Sequence, residues 1–199
     1  MNDKPVFQAV LGDDWKDLGV IIQDHYFLRP RSADYICVSG EMTEIKHSLA
    51  AKMLIPFGLL FGAVVPFQGK NIPIDVHYNA SLENSNIYWD RDFKFKRGSF
   101  HFKSFMEPVK QNEVIEFVRY GIGIRLRVTV EGQALVFRDI GYIWRIFGYD
   151  LPIPGRWLMG KVYVEERPIS DQYFSMKMTL MHPLVGSLFE YRGEFSLNG

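Results

Sequence analysis

The stretch that decides the fold is Ile87-Tyr-Trp-Asp-Arg-Asp-Phe-Lys-Phe-Lys-Arg-Gly-Ser-Phe-His-Phe-Lys-Ser-Phe-Met-Glu107. Its two alternating halves meet at Arg97-Gly98-Ser99, which is typical of a β-hairpin with a short glycine-containing loop. Similar alternation continues along most of the chain. Predicted strands cover residues 33–46, 73–83, 86–96, 99–107, 113–120, 122–131, 134–146, 157–166, 172–181 and 185–196. This many antiparallel strands predict one strongly curved sheet or a barrel, because a large open sheet tends to coil or close.

Two helices are predicted in the first third of the chain. The first spans residues 6–28, where apolar residues recur at helical spacing from Trp15 to Tyr26. The second spans Ser48–Phe61 and is apolar nearly all round, so we expect it to be buried or to close one end of the sheet. The predicted fold is α+β, a large antiparallel β-sheet curled into a barrel or half-barrel. Of its two N-terminal helices, one plugs or covers the sheet.

The chain is predicted to form a single domain over residues 1–199. A helix-strand-helix part occupies residues 1–62 and an antiparallel β part occupies residues 72–199, with no repeat or linker between them. A single cysteine, Cys37, excludes an internal disulfide framework and favours a reducing compartment. No secretory segment opens the chain, and the apolar run Met53–Phe67 is too short and too interrupted for a membrane span. We therefore expect a cytoplasmic protein that is not transmembrane.

The charge balance argues against nucleic acid as a partner. Lys plus Arg and Asp plus Glu number 23 each, so the chain has no general attraction for polyanions. Rings and basic residues do interleave over residues 93–103, as they do in proteins that bind single-stranded nucleic acid. On a strand, however, the rings and the lysines point to opposite faces. We therefore predict that the rings fill the core and the lysines face water.

Arg91 is the main functional clue in the sequence. Side chains alternate along a strand, so Trp89, Arg91, Phe93 and Phe95 point the same way. A guanidinium on an aromatic face requires a carboxylate, carbonyls, a ring face or an anionic ligand.

Two interpretations of Arg91 remain open. In the first, it holds the carboxylate or phosphate head group of a ligand at the end of an apolar cavity. In the second, it forms an internal salt bridge that fixes the sheet register, with Glu190, Glu116 or Asp139 as partner.

The sequence predicts no catalytic residue, no metal ligand and no cofactor. The histidines are His25, His47, His77, His101 and His182, and none of them is spaced as a metal ligand would be. His25 is expected to cap the C-terminus of the first helix as a cation. There is no nucleophile elbow and no Walker-type loop, and the glycines of Tyr120-Gly-Ile-Gly123 precede no helix, so they indicate a bend between strands.

Several landmarks of the sequence occur in a characteristic order. They are Val10-Leu-Gly12, His25, Trp89-x-Arg91-x-Phe93, Phe102-x-Ser104, Gly148-x-x-Leu151-Pro152, Pro183-Leu-Val-Gly186 and Tyr191-x-Gly193. With these landmarks nearly the whole chain resembles the bacterial domain family DUF4166. Members of that family often follow a saccharopine-dehydrogenase-like Rossmann domain or are attached to a membrane protein, whereas this chain resembles a stand-alone member. The family has no assigned activity, so the resemblance implies a module that binds something or serves a neighbour.

The leading functional hypothesis is a non-enzymatic binding module for an apolar or lipid-like ligand with an anionic head group. The predicted ligand-binding residues are Arg91 for the head group and Trp89, Phe93, Phe102 and Tyr191 for the cavity wall. An alternative is an interaction module that docks on an oxidoreductase-like or membrane partner through Met53–Phe67. A third hypothesis is an isomerase or hydrolase with an unrecognised site.

Overall fold

The computed structural model describes residues 4–197, apart from the side chain of Phe57. Within this part of the chain, eleven antiparallel strands form one sheet. They are β1 Tyr35–His47, β2 Ile72–Ala80, β3 Ile87–Phe95, β4 Gly98–Lys110, β5 Glu113–Phe117, β6 Ile122–Glu131, β7 Ala134–Ile146, β8 Tyr149–Ile153, β9 Lys161–Pro168, β10 Tyr173–His182 and β11 Gly186–Leu197. The single domain predicted over residues 1–199 stays a prediction, and residues 1–3 and 198–199 lie outside the described part.

Ten of these strands close into a barrel. β1 pairs with both β2 and β11, and β6 pairs with β7, so the series of neighbouring strands returns to its start. β8 is an additional strand that pairs with β7 at Tyr142–Ile146, on the same edge of β7 that pairs with β9 at Leu135–Arg138. The predicted α+β fold with an antiparallel sheet curled into a barrel is therefore confirmed, and the barrel is fully closed.

The two-residue period of the strands sorts side chains between the barrel interior and the solvent. On β2, for example, Ile74, Val76 and Tyr78 are buried, while the residues between them are more exposed. On β3, Trp89 and Phe93 are buried on the same face. Burial of these large apolar side chains is the main driving force for closing the ring.

One end of the barrel is filled by three short helical segments rather than by the single helix predicted over residues 6–28. They are α1 Val6–Leu11, a 3-10 helix Gly12–Asp17 and α2 Val20–His25. The chain turns at Gly12, whose φ of 62° is typical of glycine, and continues in extended conformation at Leu18. The residues predicted at helical spacing, Trp15 to Tyr26, do provide buried contacts, but from different segments. We call this the closed end.

The helix α3, Ala51–Phe61, lies at the opposite end, between β1 and β2. Ser48 Oγ accepts a hydrogen bond from the Ala51 amide at 3.2 Å, which satisfies one donor of the first turn. The helix covers part of this end through Leu54 and Ile55, so the expectation of a helix covering the sheet is confirmed. The other alternative, that the helix is buried, is wrong, because Met53 is 79% exposed and Leu60 is 55% exposed.

Two local predictions about the strands also require correction. The strand predicted at residues 157–166 begins only at Lys161, because α4, Gly155–Leu158, occupies the preceding residues. Pro152 lies between the strands predicted at residues 134–146 and 157–166, whereas in the structure it belongs to β8. Proline lacks an N–H donor and is tolerated there because, among the described strands, β8 pairs only with β7 and so has one unpaired edge. No helix within residues 4–197 has the length and apolar character needed to cross a membrane.

Candidate functional site

The barrel encloses a cavity of about 140 Å³ with a largely apolar lining. At the open end the lining comes from Ala63, Val64 and Val65, in the loop that follows α3. Toward the closed end it includes the rings of Trp89 and Phe174. The interior is therefore partly hollow rather than filled completely by side chains.

All five predicted ligand-binding residues line this cavity: Arg91, Trp89, Phe93, Phe102 and Tyr191. Whether they bind a ligand stays a prediction. Tyr191 also fastens the loop at the open end, because its hydroxyl accepts a hydrogen bond from the Val65 amide at 3.3 Å and lies 3.4 Å from the Val65 carbonyl oxygen. Burial raises the pKa of Tyr191 above its ordinary range, so this hydroxyl stays neutral.

The Arg91 side chain is 16% exposed and takes part in an ion pair in the cavity wall. Nη2 donates to Glu116 Oε1 at 3.0 Å, and Nη1 donates to Ser104 Oγ at 3.0 Å. The Ser104 hydroxyl donates in turn to the same Glu116 oxygen at 2.7 Å. The guanidinium carbon lies 4.4 Å from the centroid of the Trp89 ring and 4.9 Å from that of Phe102. Ion pairing and ring contacts therefore both hold the cation in place.

Of the three acids considered as partners for Arg91, only Glu116 pairs with it. Glu190 forms a salt bridge with Arg192, and Asp139 forms one with Arg156. A guanidinium has five N–H donors, and the two hydrogen bonds described above leave it able to make more. The internal salt bridge therefore exists, and it does not use the full donor capacity of Arg91.

A second polar cluster lies where the cavity meets the closed end. Glu166 lines the cavity and is only 5% exposed, and His25 Nδ1 lies 3.6 Å from Glu166 Oε2. Within residues 4–197 several atoms of this cluster have no hydrogen-bond partner of normal geometry: Glu166 Oε2, both ring nitrogens of His25 and the Tyr26 hydroxyl. Buried polar atoms are nearly always paired, so this concentration of unpaired atoms marks the region as unusual.

Burial shifts Glu166 and His25 of this cluster toward their neutral forms. Desolvation raises the pKa of Glu166 to about 7, against the lowering effects of the nearby Tyr26 hydroxyl and Arg91. Desolvation also lowers the pKa of His25 to about 3. Glu166 is therefore able to take up or release a proton near neutral pH. The prediction that His25 caps a helix as a cation is wrong, because its fully buried ring is neutral.

Glu166 was missed by the sequence analysis, although a signal was present. Val162, Val164 and Glu166 alternate along β9 and therefore share the interior face, as Arg91 shares that of β3. His25 itself lies behind the cavity lining, stacked on Phe174 at a centroid distance of 4.8 Å. Among residues 4–197 no three His, Cys, Asp or Glu side chains converge in a way that would hold a metal ion.

The chain is similar to known proteins in sequence and in fold. The family model described as "Domain of unknown function (DUF4166)" matches residues 18–195. No curated protein matches the chain. Among solved structures, the chain is similar to the crystal structure of Rv2717c from M. tuberculosis, with 10% sequence identity and a TM-score of 0.47. That similarity covers 92% of this chain and 100% of the other.

Proposed function

Since the chain belongs to the DUF4166 family, a family described as a domain of unknown function, we propose its function from the barrel itself: it binds one small, apolar, lipid-like acid in the cavity and does not transform it. The ligand's carboxylate lies at Arg91, and its apolar part extends toward the open end. The observation that carries this proposal is an apolar cavity with a partly buried guanidinium in its wall.

The distribution of polar groups supports this orientation of the ligand. Arg91 lies at the middle of β3, and Glu166 lies two residues before the closed end of β9. At the open end, in contrast, the loop contributes only Ala63, Val64 and Val65 to the lining. An amphipathic molecule is therefore best accommodated with its head group inside and its chain toward the opening.

The size of the cavity limits the ligand to a short or medium chain. Its volume of about 140 Å³ is close to that of an engineered protein cavity of about 150 Å³ that binds benzene. A longer chain would have to displace the loop at Val64 and Val65, which Tyr191 holds in place. We therefore expect acids of medium length, such as octanoate, to be better ligands than long-chain fatty acids.

The charges of the cavity wall couple this binding to a proton. Arg91 and Glu116 balance each other, so an incoming carboxylate adds one uncompensated negative charge. Glu166 is the group best placed to offset it, because burial gives it a pKa of about 7 and it lines the same cavity. Proton uptake by Glu166 removes the second negative charge. Binding should therefore tighten as the pH falls through neutrality.

Calorimetric titration with octanoate and with octanol tests the role of Arg91. Arg91→Met keeps much of the side-chain volume and removes the charge. Hydrogen bonds to a charged group contribute about 1.5–3 kcal/mol, so we expect octanoate binding to weaken by roughly 10- to 150-fold and octanol binding to change little. Arg145→Met is the matched control, because Arg145 also pairs with acids and contacts a ring but does not line the cavity. Equal octanoate affinity in wild type and Arg91→Met, or no binding to wild type, would overturn the proposal.

The proton coupling is tested by repeating the octanoate titration between about pH 6 and pH 8. For wild type we expect the affinity to rise by up to about tenfold for each unit of pH decrease while the pH is above the pKa of Glu166 in the unliganded protein, about 7, and to level off below it. Glu166→Gln should give an affinity that is nearly constant over this range. A variant that retains the wild-type slope would show that another group takes up the proton.

A further inference from the structure

The two ends of the barrel are built from different sets of connecting segments. Adjacent antiparallel strands alternate in direction, so every second connection lies at the same end. The open end, which we call the rim, comprises residues 48–71, 96–97, 118–121, 147–160 and 183–185. The closed end comprises residues 4–34, 81–86, 111–112, 132–133 and 169–172. The two sets are nearly equal in length, which allows a direct comparison.

The rim exposes far more apolar surface than the closed end. Of the exposed large apolar side chains within residues 4–197, 13 belong to the rim and 4 to the closed end. Phe147 is 97% exposed, Leu184 is 78% exposed and Trp157 is 66% exposed. Soluble monomers seldom expose this many large apolar residues on one side, and such patches mark interaction sites.

The charges also separate between the two ends. The rim contains six basic residues and one acidic residue: Lys52, Lys70, Lys96, Arg97, Arg119 and Arg156 against Asp150. The closed end contains seven acidic residues and four basic residues. The overall net charge of zero therefore conceals a basic rim and an acidic opposite end.

Several neighbouring rim segments contact one another around the opening. The Ser48 amide donates to the Leu188 carbonyl oxygen at 2.9 Å, which joins the start of the α3 segment to β11. Phe61 contacts Tyr120 with ring centroids 6.2 Å apart, and Trp144 Nε1 donates to the Tyr120 carbonyl oxygen at 2.9 Å. This links α3, the turn before β6 and the β7–β8 hairpin around the opening of the barrel.

Phe147 occupies a turn position that does not favour an aromatic residue. Phe147 and Gly148 both have positive φ, 50° and 82°, the pattern of a type I′ hairpin turn. Asn-Gly is the preferred pair in such turns, because asparagine tolerates this conformation better than a bulky residue does. Neither burial nor turn geometry therefore explains why this nearly fully exposed position is a phenylalanine.

We propose that the rim docks the barrel, with its opening facing down, on a membrane surface that contains anionic phospholipids. Tryptophan, phenylalanine and leucine side chains insert at the level of the head groups, and the rim lysines and arginines attract the lipid charges. This inference does not depend on the proposed ligand, because it rests on the outer surface of the rim. Docking in this way would place the apolar opening of the cavity against the lipid.

The charge pattern favours a lipid surface over a second copy of the chain. In a symmetric dimer built through the rim, two basic surfaces would face each other and repel. An anionic membrane instead complements the positive charge that the rim retains after Arg156 pairs with Asp139 and Lys70 pairs with Glu44, and it accepts the apolar side chains in the same contact.

Co-sedimentation with vesicles tests the proposal. One set consists of phosphatidylcholine alone, and the other contains about one-third phosphatidylglycerol. We expect wild type to bind the mixed vesicles more strongly than the neutral ones, and less strongly as salt is added. Failure of wild type to sediment with the mixed vesicles would overturn the proposal.

Matched variants at the two ends sharpen this test. Leu184→Asp alters the rim, and Leu82→Asp alters a residue of similar exposure, 72%, at the closed end. We expect Leu184→Asp to reduce binding to the mixed vesicles at least about tenfold and Leu82→Asp to leave it unchanged. Likewise Lys96→Glu should reduce binding at least about fivefold, whereas Lys16→Glu at the closed end should not.

Two results with these variants would contradict the proposal. Equal vesicle binding by Leu184→Asp and Leu82→Asp, in proteins with unchanged thermal unfolding, would show that the rim is not the contact. A wild-type dimer in size-exclusion chromatography that Leu184→Asp converts to a monomer, without any vesicle binding, would assign the rim to self-association instead.

Discussion

The closed end and the rim use the same residue type for opposite purposes. Phe7, in α1, is 1% exposed and packs on Tyr26 with ring centroids 4.3 Å apart. Phe147, at the rim, is 97% exposed. Hydrophobicity alone does not distinguish these two positions. The difference lies in how completely neighbouring segments cover the end of the barrel: helical segments fill the closed end, whereas α3 covers the rim only in part.

Truncating one phenylalanine at each end gives the largest predicted contrast. Phe7→Ala removes a buried ring and leaves a void, so we expect the free energy of unfolding to fall by about 3–5 kcal/mol. Phe147→Ala removes a ring that is already in water, and we expect a change within about 0.5 kcal/mol. Urea unfolding of both variants measures the contrast. Equal losses would show that the two ends do not differ as described.

The pH dependence of stability probes the buried polar groups of the closed end. The folded state binds the Glu166 proton more tightly than the unfolded state does, since its pKa is about 7 instead of 4.5. Ionising Glu166 therefore destabilises the fold as the pH rises from 4.5 to 7. His25 acts in the opposite direction: its pKa is about 3 instead of 6.5, so stability is gained as the pH rises from 3 to 6.5. The two contributions largely cancel between pH 4.5 and 6.5.

Glu166→Gln removes one of these two contributions and should reveal the other. Relative to wild type, we expect this variant to be more stable at pH 8 than at pH 4.5 by about 3 kcal/mol, because glutamine has no carboxylate to ionise in the interior. The neighbouring Glu165 is the control, since the Tyr163 hydroxyl lowers the pKa of its carboxyl. The pH-dependent contribution of Glu165 lies below about pH 4.5, so Glu165→Gln should leave the difference between pH 8 and pH 4.5 nearly unchanged. Urea unfolding at several pH values would contradict the assignment if both variants shifted alike.

The smallest predicted effect concerns the turn at Phe147. Phe147→Asn places a residue suited to positive φ next to Gly148. We expect a gain of up to about 1 kcal/mol, which corresponds to a rise in Tm of about 2–4 °C for a domain of this size. The same substitution should weaken binding to anionic vesicles. A variant that gains stability and keeps full vesicle binding would show that Phe147 does not contribute to membrane docking.

Much of the barrel was predictable because strands impose a two-residue period. That period placed Arg91 on the interior face together with Trp89 and Phe93, and all three line the cavity. The sequence does not determine which of Glu190, Glu116 and Asp139 pairs with Arg91, because strand register cannot be deduced from one sequence. The observed register pairs Arg91 with Phe102, and Ser104 and Glu116 on the next two strands then come within reach.

The helical parts were less predictable, because tertiary contacts override the local pattern. Residues 6–28 have helical spacing, yet the turn at Gly12 redirects the chain so that Trp15 and Tyr26 both reach the closed end. Ser48–Phe61 is apolar on nearly every side, but only the face that includes Leu54 and Ile55 packs against the core. The difference in charge between the two ends is not visible in the net charge of the chain, which is zero. It becomes apparent only when the connecting segments are grouped by the end of the barrel at which they lie.

The pairing of β1 with β11 determines when the ring is completed as the chain is made. β1 begins at Tyr35 and β11 ends at Leu197, so the ring stays open until the last of the described strands has been synthesised. Until then β1 and β10 each present an unpaired edge, which is able to recruit strands from other molecules. Contacts between such distant segments form slowly, because joining the ends of a long loop has an entropic cost. We therefore expect the slow step of folding to be the joining of the first strand to the last.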